Sequence, residues 1–394
     1  MATLAAVPLS GYRVAQMPTP QARSRKPQPG SGKPVAGQAT PAGTTRYAER
    51  FAAGHSADFY RALAGGNLVS SIGMGTYLGD CTDAEDARYV TVLAAGLERG
   101  LNLIDTAINY RCQRSERAAG RTVRRAIELG IATRDEIVVS TKGGYIPLEG
   151  EPPASRELYD RYLAAEYFDR GIIGTADVVS GGHSIAPAFL ADQIRRSLAN
   201  LGLESIDVYY LHNPEQQRAA LDPARFKEAL LGAFTELEAQ VARGTIRSYG
   251  CATWNGFRVG PESASHVSLE ELVAIARSAG GSSHHFRAVQ LPVNLAMTEG
   301  IRLPTQLLSG RRVPLLEAAA ELGVSVIGSA SLMQSQLTHS LPIELAAAFP
   351  SLETDAQRAI AFARSLPLAA VLVGMRSLDH LSENLGAVTE VIPA

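Results

Sequence analysis

Eight times between Asn67 and the C-terminus, a short β-branched or apolar run gives way to a longer stretch with helical periodicity. The short runs fall at 68–73, 101–105, 136–142, 206–212, 246–251, 287–293, 324–329 and 369–374. The helical patterns occupy 83–99, 114–130, 188–201, 225–243, 268–279, 313–322, 355–366 and 378–388. Apolar runs of this length read as parallel strands buried on both faces, with the intervening helices as their cover. Eight strand–helix units are the number needed to close a (β/α)8 TIM barrel. A doubly wound sheet needs a Gly-rich phosphate loop between its first strand and helix. Gly73-Met74-Gly75 is too short for that and has no third glycine in register. The sequence therefore predicts an α/β chain folded as a (β/α)8 TIM barrel, spanning 67–394.

Within that frame, the segment from Leu101 to Tyr110, LNLIDTAINY, is the most informative. A strand buried on both faces should not end in Asp105 unless the carboxylate has a partner, because an unpaired buried charge is very costly. Lys142 closes the third strand, IVVSTK, and His212 closes the fourth, DVYYLH. Tyr110 lies just beyond Asp105. The four converge on the carboxyl rim, the face on which barrel enzymes work. Each has an ordinary explanation. Lys142 could snorkel to the surface, His212 could be a satisfied core residue, Asp105 could cap a helix and Tyr110 could simply pack. Four such residues at the ends of adjacent strands are hard to explain that way together.

Composition sets the remaining bounds. A net charge of −2 with no basic stripe argues against nucleic acid as a partner. Cys81, Cys112 and Cys251 have neither metal-ligand nor disulfide spacing, which fits a reducing compartment and no metal site. No run approaches the length of a membrane-spanning helix, so a soluble, cytoplasmic protein is expected, as a monomer or small homo-oligomer. Residues 1–48 are rich in Pro, Gly, Ala, Ser, Thr and Gln, and the first acid is Glu49. Such a stretch reads as a disordered N-terminal extension. Its acid-poor, Arg- and Ser-containing start resembles an organellar transit peptide, but its prolines and glycines spoil an amphipathic helix.

In their order and spacing, Asp105, Tyr110, Lys142 and His212 resemble the catalytic tetrad of the aldo/keto reductase superfamily. The resemblance runs from about Ser70 to Ala387. It includes Asp105-Thr106-Ala107-Ile108-Asn109-Tyr110, then Ser115, Glu116 and Gly120, the strand end Thr141-Lys142 and the pair Leu211-His212. Gly75-Thr76 matches the Gly-Thr pair after the first strand. Val373-Gly374-Met375-Arg376 and Ser382-Glu383-Asn384 match the segment that holds the adenosine phosphate.

The resemblance implies hydride transfer between the nicotinamide of NADP, or of NAD, and the carbon of a small carbonyl or alcohol substrate. It makes Tyr110 the proton donor or acceptor. An unperturbed tyrosine titrates near ~10, so Lys142 is expected to lower its pKa. Asp105 is expected to hold Lys142, and His212 to orient the substrate oxygen. For the cofactor, the family pattern implies Gly75, Thr76, Gln290, Ser329, Leu332, Gly374, Arg376, Glu383 and Asn384. Arg376 is suited to a 2′-phosphate, because a guanidinium forks onto phosphate oxygens. The usual Ser-Asn pair after the fifth strand is replaced by Gly250-Cys251-Ala252-Thr253-Trp254-Asn255, with Thr253 or Asn255 as substitutes. No aromatic stands near Ser329 to cover the nicotinamide, which leaves Trp254 or Tyr77 for that part.

Two insertions leave the same rim, at 143–186 and roughly 297–312. The first is expected to fold over the catalytic face and to shape the pocket with Tyr145, Tyr159, Tyr162, Tyr167 and Phe168. A different class of function also fits the pattern, a nucleotide-sensing regulatory subunit that keeps the barrel and works by binding.

Overall fold

The computed structural model describes residues 32–388. Eight strands form its barrel. They are β1 (Ile72–Gly75), β2 (Leu103–Asp105), β3 (Val138–Gly143), β4 (Ile206–His212), β5 (Ile246–Ala252), β6 (Phe286–Pro292), β7 (Ser325–Ser329) and β8 (Ala370–Gly374). Each pairs in parallel with its sequence neighbour, and β8 pairs with β1 to close the ring. Closure leaves the barrel no free edge. The register places Asp105 opposite Ser140 and Lys142 opposite Tyr210, so the strand ends finish together on one rim.

Outside lie α1 (Asp83–Leu97), α2 (Arg114–Glu128), α3 (Pro187–Leu201), α4 (Pro223–Ala242), α5 (Leu269–Gly280), α6 (Leu315–Leu322), α7 (Asp355–Arg364) and α8 (Leu378–Leu385). Their limits follow local chemistry. Thr82, Asp222, Ser268, Thr354 and Ser377 each accept a bond from a first-turn amide of the helix that follows. Gly202 and Gly323 stop α3 and α6 in the left-handed conformation. Gly120 has a different purpose. A β-carbon there would lie 2.2 Å from the carbonyl oxygen of Leu201, so only glycine lets α2 approach α3.

Two expectations need correction. The run 68–73 is not one strand. Leu68–Ser70 pairs antiparallel with Tyr60–Ala62 in a hairpin, and the barrel strand begins only at Ile72. The backbone turns between them, where Ser71 N–H donates to the Phe59 carbonyl at 2.7 Å. The tail expected over 1–48 lies outside the described residues up to 31, but 32–48 has fixed structure. Val35 bridges Leu203, and a helix runs from Pro41 to Phe51. Thr40 caps that helix and proline opens it, while Tyr47 and Ala48 are buried under it. Arg46 and Arg50 then pair with Asp135 and Glu136, supplying the acids this segment lacks.

Asp207, 1% exposed, anchors this segment to the barrel. Its carboxylate accepts from Ala39 N–H at 2.6 Å, Arg134 Nη2 at 2.9 Å and Val139 N–H at 2.8 Å. Removing it strands the Arg134 guanidinium, itself 6% exposed, away from water. Asp207→Ala is expected to cost about 3–5 kcal/mol, read as a lower denaturant midpoint at unchanged slope.

Candidate active site

Three strands position the charged centre. Lys142 Nζ, at the end of β3, binds both carboxylate oxygens of Asp105 at the end of β2, with 2.7 Å to Oδ1. It also donates to the Thr106 carbonyl at 2.9 Å. Ser140 Oγ and, from β6, Gln290 Nε2 each donate to Asp105 Oδ1 at 3.1 Å. Lys142 is 1% exposed and Asp105 2%. The partner that a buried strand-end aspartate required is thus present. Burial lowers the Lys142 pKa from its usual range, and the Asp105 charge opposes that shift.

Tyr110 stands above this pair. Its ring centre is 5.1 Å from Lys142 Nζ and meets Tyr77 at 5.0 Å and His212 at 5.8 Å, both edge-on. The next three residues, Arg111, Cys112 and Gln113, have φ of 49°, 53° and 69°. Left-handed backbone is unfavourable for such side chains, so surrounding contacts must hold it. Arg111 binds the Asp80 carbonyl at 3.0 Å and Asp86 at 2.6 Å, and Gln113 binds the Leu148 carbonyl at 3.0 Å. The ring is thereby fixed by a strained but tethered turn.

The direction of the tyrosine shift differs from expectation. Burial and the Asp105 charge, with smaller effects from Tyr77 and Tyr145, push the Tyr110 phenol well above its ordinary value. Lys142 does not prevail, because Asp105 grips its ammonium. Tyr110 is therefore a neutral phenol at physiological pH. His212 shifts the opposite way. Burial, then the charges of Lys142 and His183, hold it well below its usual value, so its ring is neutral. The His212 Nδ1 is buried with no hydrogen-bond partner among the described residues.

The insertion contributes differently from what the sequence suggested. Tyr159, Tyr162, Tyr167 and Phe168 do not gather at the tetrad. They form a satellite core with Ile146, Leu163, Ile173 and Phe189. Its helix runs from Arg156 to Leu163 and widens into a π turn over Ala164–Phe168. Tyr145 does reach the site, edge-on to His212 at 5.1 Å, with Asn213 donating to its hydroxyl at 2.9 Å. His183, unforeseen in the sequence, is fully buried behind it. Its Nε2 donates to the His212 carbonyl at 2.7 Å, which leaves Nδ1 to accept from Gln217 at 3.1 Å.

The expected cofactor residues fall into two groups. Gln290 lies within the charged centre, and Thr253, 4% exposed, follows β5 with its hydroxyl unpartnered among the described residues. Gly75 and Gly374 end β1 and β8, and Ser329 ends β7. The half-buried Leu332 and the buried Asn384 stand beyond those strand ends and in α8. The remainder are engaged elsewhere. Thr76 Oγ1 donates to the Asp105 carbonyl at 3.0 Å, locking β1 to β2. Arg376 is forked onto Glu85 at 2.6 and 2.9 Å, and the Glu383 carbonyl accepts from Gln357. Asn255 and Trp254 give their amides to Glu215, a buried carboxylate the sequence reading missed. Tyr77 and Trp254 are both exposed, at 56% and 39%.

His183 makes stability sensitive to acid. Burial lowers its pKa to about 4, whereas an unfolded histidine takes up a proton near ~6.5. The contribution is complete above the unfolded value and is lost as pH falls toward the folded one, to a total on the order of 3 kcal/mol. His183→Gln keeps a donor for the His212 carbonyl without that proton. The variant's melting temperature should fall less than the wild type's between about pH 7 and pH 5.

Comparison with known proteins supplies the context. The model of the aldo/keto reductase family matches residues 71–260. A D-threo-aldose 1-dehydrogenase from a Pseudomonas species is 29% identical over 193 residues, 48% of this chain and 51% of that protein. The chain thus spans about half the length of that curated relative. A Klebsiella pneumoniae aldo/keto reductase, solved with NADP and acetate, superposes with a TM-score of 0.55 at 20% identity, covering 85% of this chain and 91% of its own. A glycerol dehydrogenase from Gluconobacter oxydans gives 0.57 at 17% identity, covering 84% and 90%. The barrel topology is therefore shared with enzymes of that family. The family model thus matches the part of the chain that carries Asp105, Tyr110, Lys142 and His212, and in that part the chain is similar to the aldo/keto reductase family.

Proposed function

We propose that this chain is an NADP-linked oxidoreductase that interconverts a small aldehyde, ketone or aldose with its alcohol. The observation that carries the reading is the buried Lys142–Asp105 pair beneath a neutral Tyr110, with a neutral His212 beside it. Tyr110 gives its proton to the carbonyl oxygen in reduction and takes it back in oxidation, since the same groups serve both directions. The raised pKa keeps the phenol protonated, the state that reduction requires. His212, kept uncharged, donates a hydrogen bond to the substrate oxygen and stabilises charge developing there. Asp105 neutralises and aims Lys142, whose ammonium stabilises the tyrosinate left after proton transfer.

The residues present fit a nicotinamide at this rim. The Thr253 hydroxyl is buried with no partner among the described residues, and the Gln290 amide is already held in place by Asp105. Thr253, Asn255 and Gln290 are assigned to the carboxamide end, with Gly75, Ser329, Leu332, Gly374, Glu383 and Asn384 along the remainder. When bound, the cofactor supplies the hydride. Arg376 is assigned to the 2′-phosphate of NADP, for which it must exchange Glu85. NAD binding would leave that salt bridge intact. The aldose and glycerol dehydrogenases to which the chain is similar support a small hydroxylated substrate.

The test is consumption of NADPH with a nitrobenzaldehyde by wild type and Tyr110→Phe. Loss of the proton donor is expected to lower kcat by about 100-fold or more, with NADPH binding retained. Equal inertness of both forms with NADPH still bound would favour a nucleotide-sensing subunit instead.

A further inference from the structure

Beyond Ala252, the last rung that β5 shares with both β4 and β6, the chain enters the loop that carries Thr253 and Asn255. Each side of that loop is tied to its neighbour. Thr253 N–H donates to the Gln290 carbonyl at 2.8 Å, continuing the pairing with β6. On the β4 side, Asn213, in left-handed backbone with φ of 52°, donates its N–H to the Ala252 carbonyl at 2.6 Å. That turn delivers Glu215 two residues later. A single oxygen of its carboxylate, Oε1, accepts from Trp254 N–H at 2.6 Å and from Asn255 N–H at 3.1 Å.

Glu215 opens a short helix, Glu215–Ala220, and is 4% exposed. Burial raises its pKa, and the backbone amides around it favour the charged form. Charge-assisted bonds from two consecutive amides hold a loop more firmly than bonds to a neutral acceptor. Its other oxygen, Oε2, is buried with no partner among the described residues. Leaving a buried carboxylate oxygen unsatisfied costs free energy, so this acid is a poor choice for stability alone. The Thr253 hydroxyl, which can both donate and accept, sits one residue from the gripped amides.

We propose that Glu215 is a positioning residue for the nicotinamide end of the cofactor site. Given the nicotinamide reading of this rim, on which this role rests, Glu215 holds the loop so that Thr253 and Asn255 meet the carboxamide together with Gln290. It acts through the backbone of Trp254 and Asn255 and does not touch the reacting atoms. Its influence is confined to one end of the cofactor. The adenosine end is assigned to Arg376, which follows β8, three strands around the barrel from β5.

The experiment measures binding of the full chain to NADPH and to adenosine 2′,5′-bisphosphate, which lacks the nicotinamide. Glu215→Ala is expected to weaken NADPH binding about tenfold, from the loss of the charge-assisted contact. Its affinity for adenosine 2′,5′-bisphosphate should be unchanged, whereas a merely structural role would weaken both ligands alike. Glu215→Gln keeps a carbonyl oxygen for the two amides and should stay within about threefold of wild type for NADPH. Trp254 is the only tryptophan in the chain, so its fluorescence anisotropy reports the loop directly. Without ligand, that anisotropy should fall in Glu215→Ala and hold in Glu215→Gln. Should the alanine variant fail to fold, Glu215→Asp keeps the charge one methylene short, and its weaker binding should again be confined to NADPH. NADPH affinity unchanged in the alanine or aspartate variant, or lost equally with that for the bisphosphate, would overturn the proposal. So would a glutamine variant as weak as alanine. Wild type that fails to bind NADPH would instead overturn the functional reading, and this role with it.

Discussion

The buried pair of Lys142 and Asp105 is the interaction on which the rim of this barrel depends. Separately, either charge would be strongly unfavourable at 1–2% exposure. Together they join the ends of β2 and β3 and draw in three more polar groups, the Thr106 carbonyl, Ser140 and Gln290. Gln290 arrives from β6 on the far side of the barrel, so the pair braces the mouth as well as two adjacent strands. Replacing one partner would leave an uncompensated charge in the barrel and slacken that brace.

The same pair sets the proton affinity of the residue above it. An ammonium near a phenol favours the phenolate, and a carboxylate opposes that effect. With Asp105 bound to both Lys142 and its surroundings, burial and the carboxylate determine the outcome, and Tyr110 holds its proton. His212 experiences burial without an acid of its own and stays uncharged. The site therefore presents two neutral donors to a substrate oxygen, with its one full positive charge kept below them. That suits a reaction in which negative charge develops on oxygen in the transition state.

The barrel was legible because its strands are apolar runs bounded by helices with clear caps, and the tetrad because polar residues at the ends of buried strands stand out. Other features depended on contacts between distant segments. The helix at Pro41–Phe51 has Glu49 as its one acid, and its Arg46 and Arg50 find their partners in Asp135 and Glu136. Leu68–Ser70 and Ile72–Gly75 read as one strand, since a bend at Ser71 has no signature beyond its neighbours' bonding. The insertion's aromatics look like pocket residues in sequence, yet their partner is Phe189, on the helix that follows. His183 gave no signal, because its importance comes from the carbonyl of His212 and the amide of Gln217. Arg376 was readable as a phosphate ligand, and the structure shows it in a salt bridge with Glu85, a partner 291 residues away that no local pattern announces.

The most direct test is the ionisation of Tyr110 itself, measured by carbon NMR of ring-labelled tyrosine in wild type and in Asp105→Asn, without cofactor. If Asp105 cancels the influence of Lys142, the Tyr110 signal in the variant should titrate at lower pH than in wild type, where the phenol stays protonated beyond about 10. A Tyr110 pKa unchanged or raised by the substitution would contradict the account.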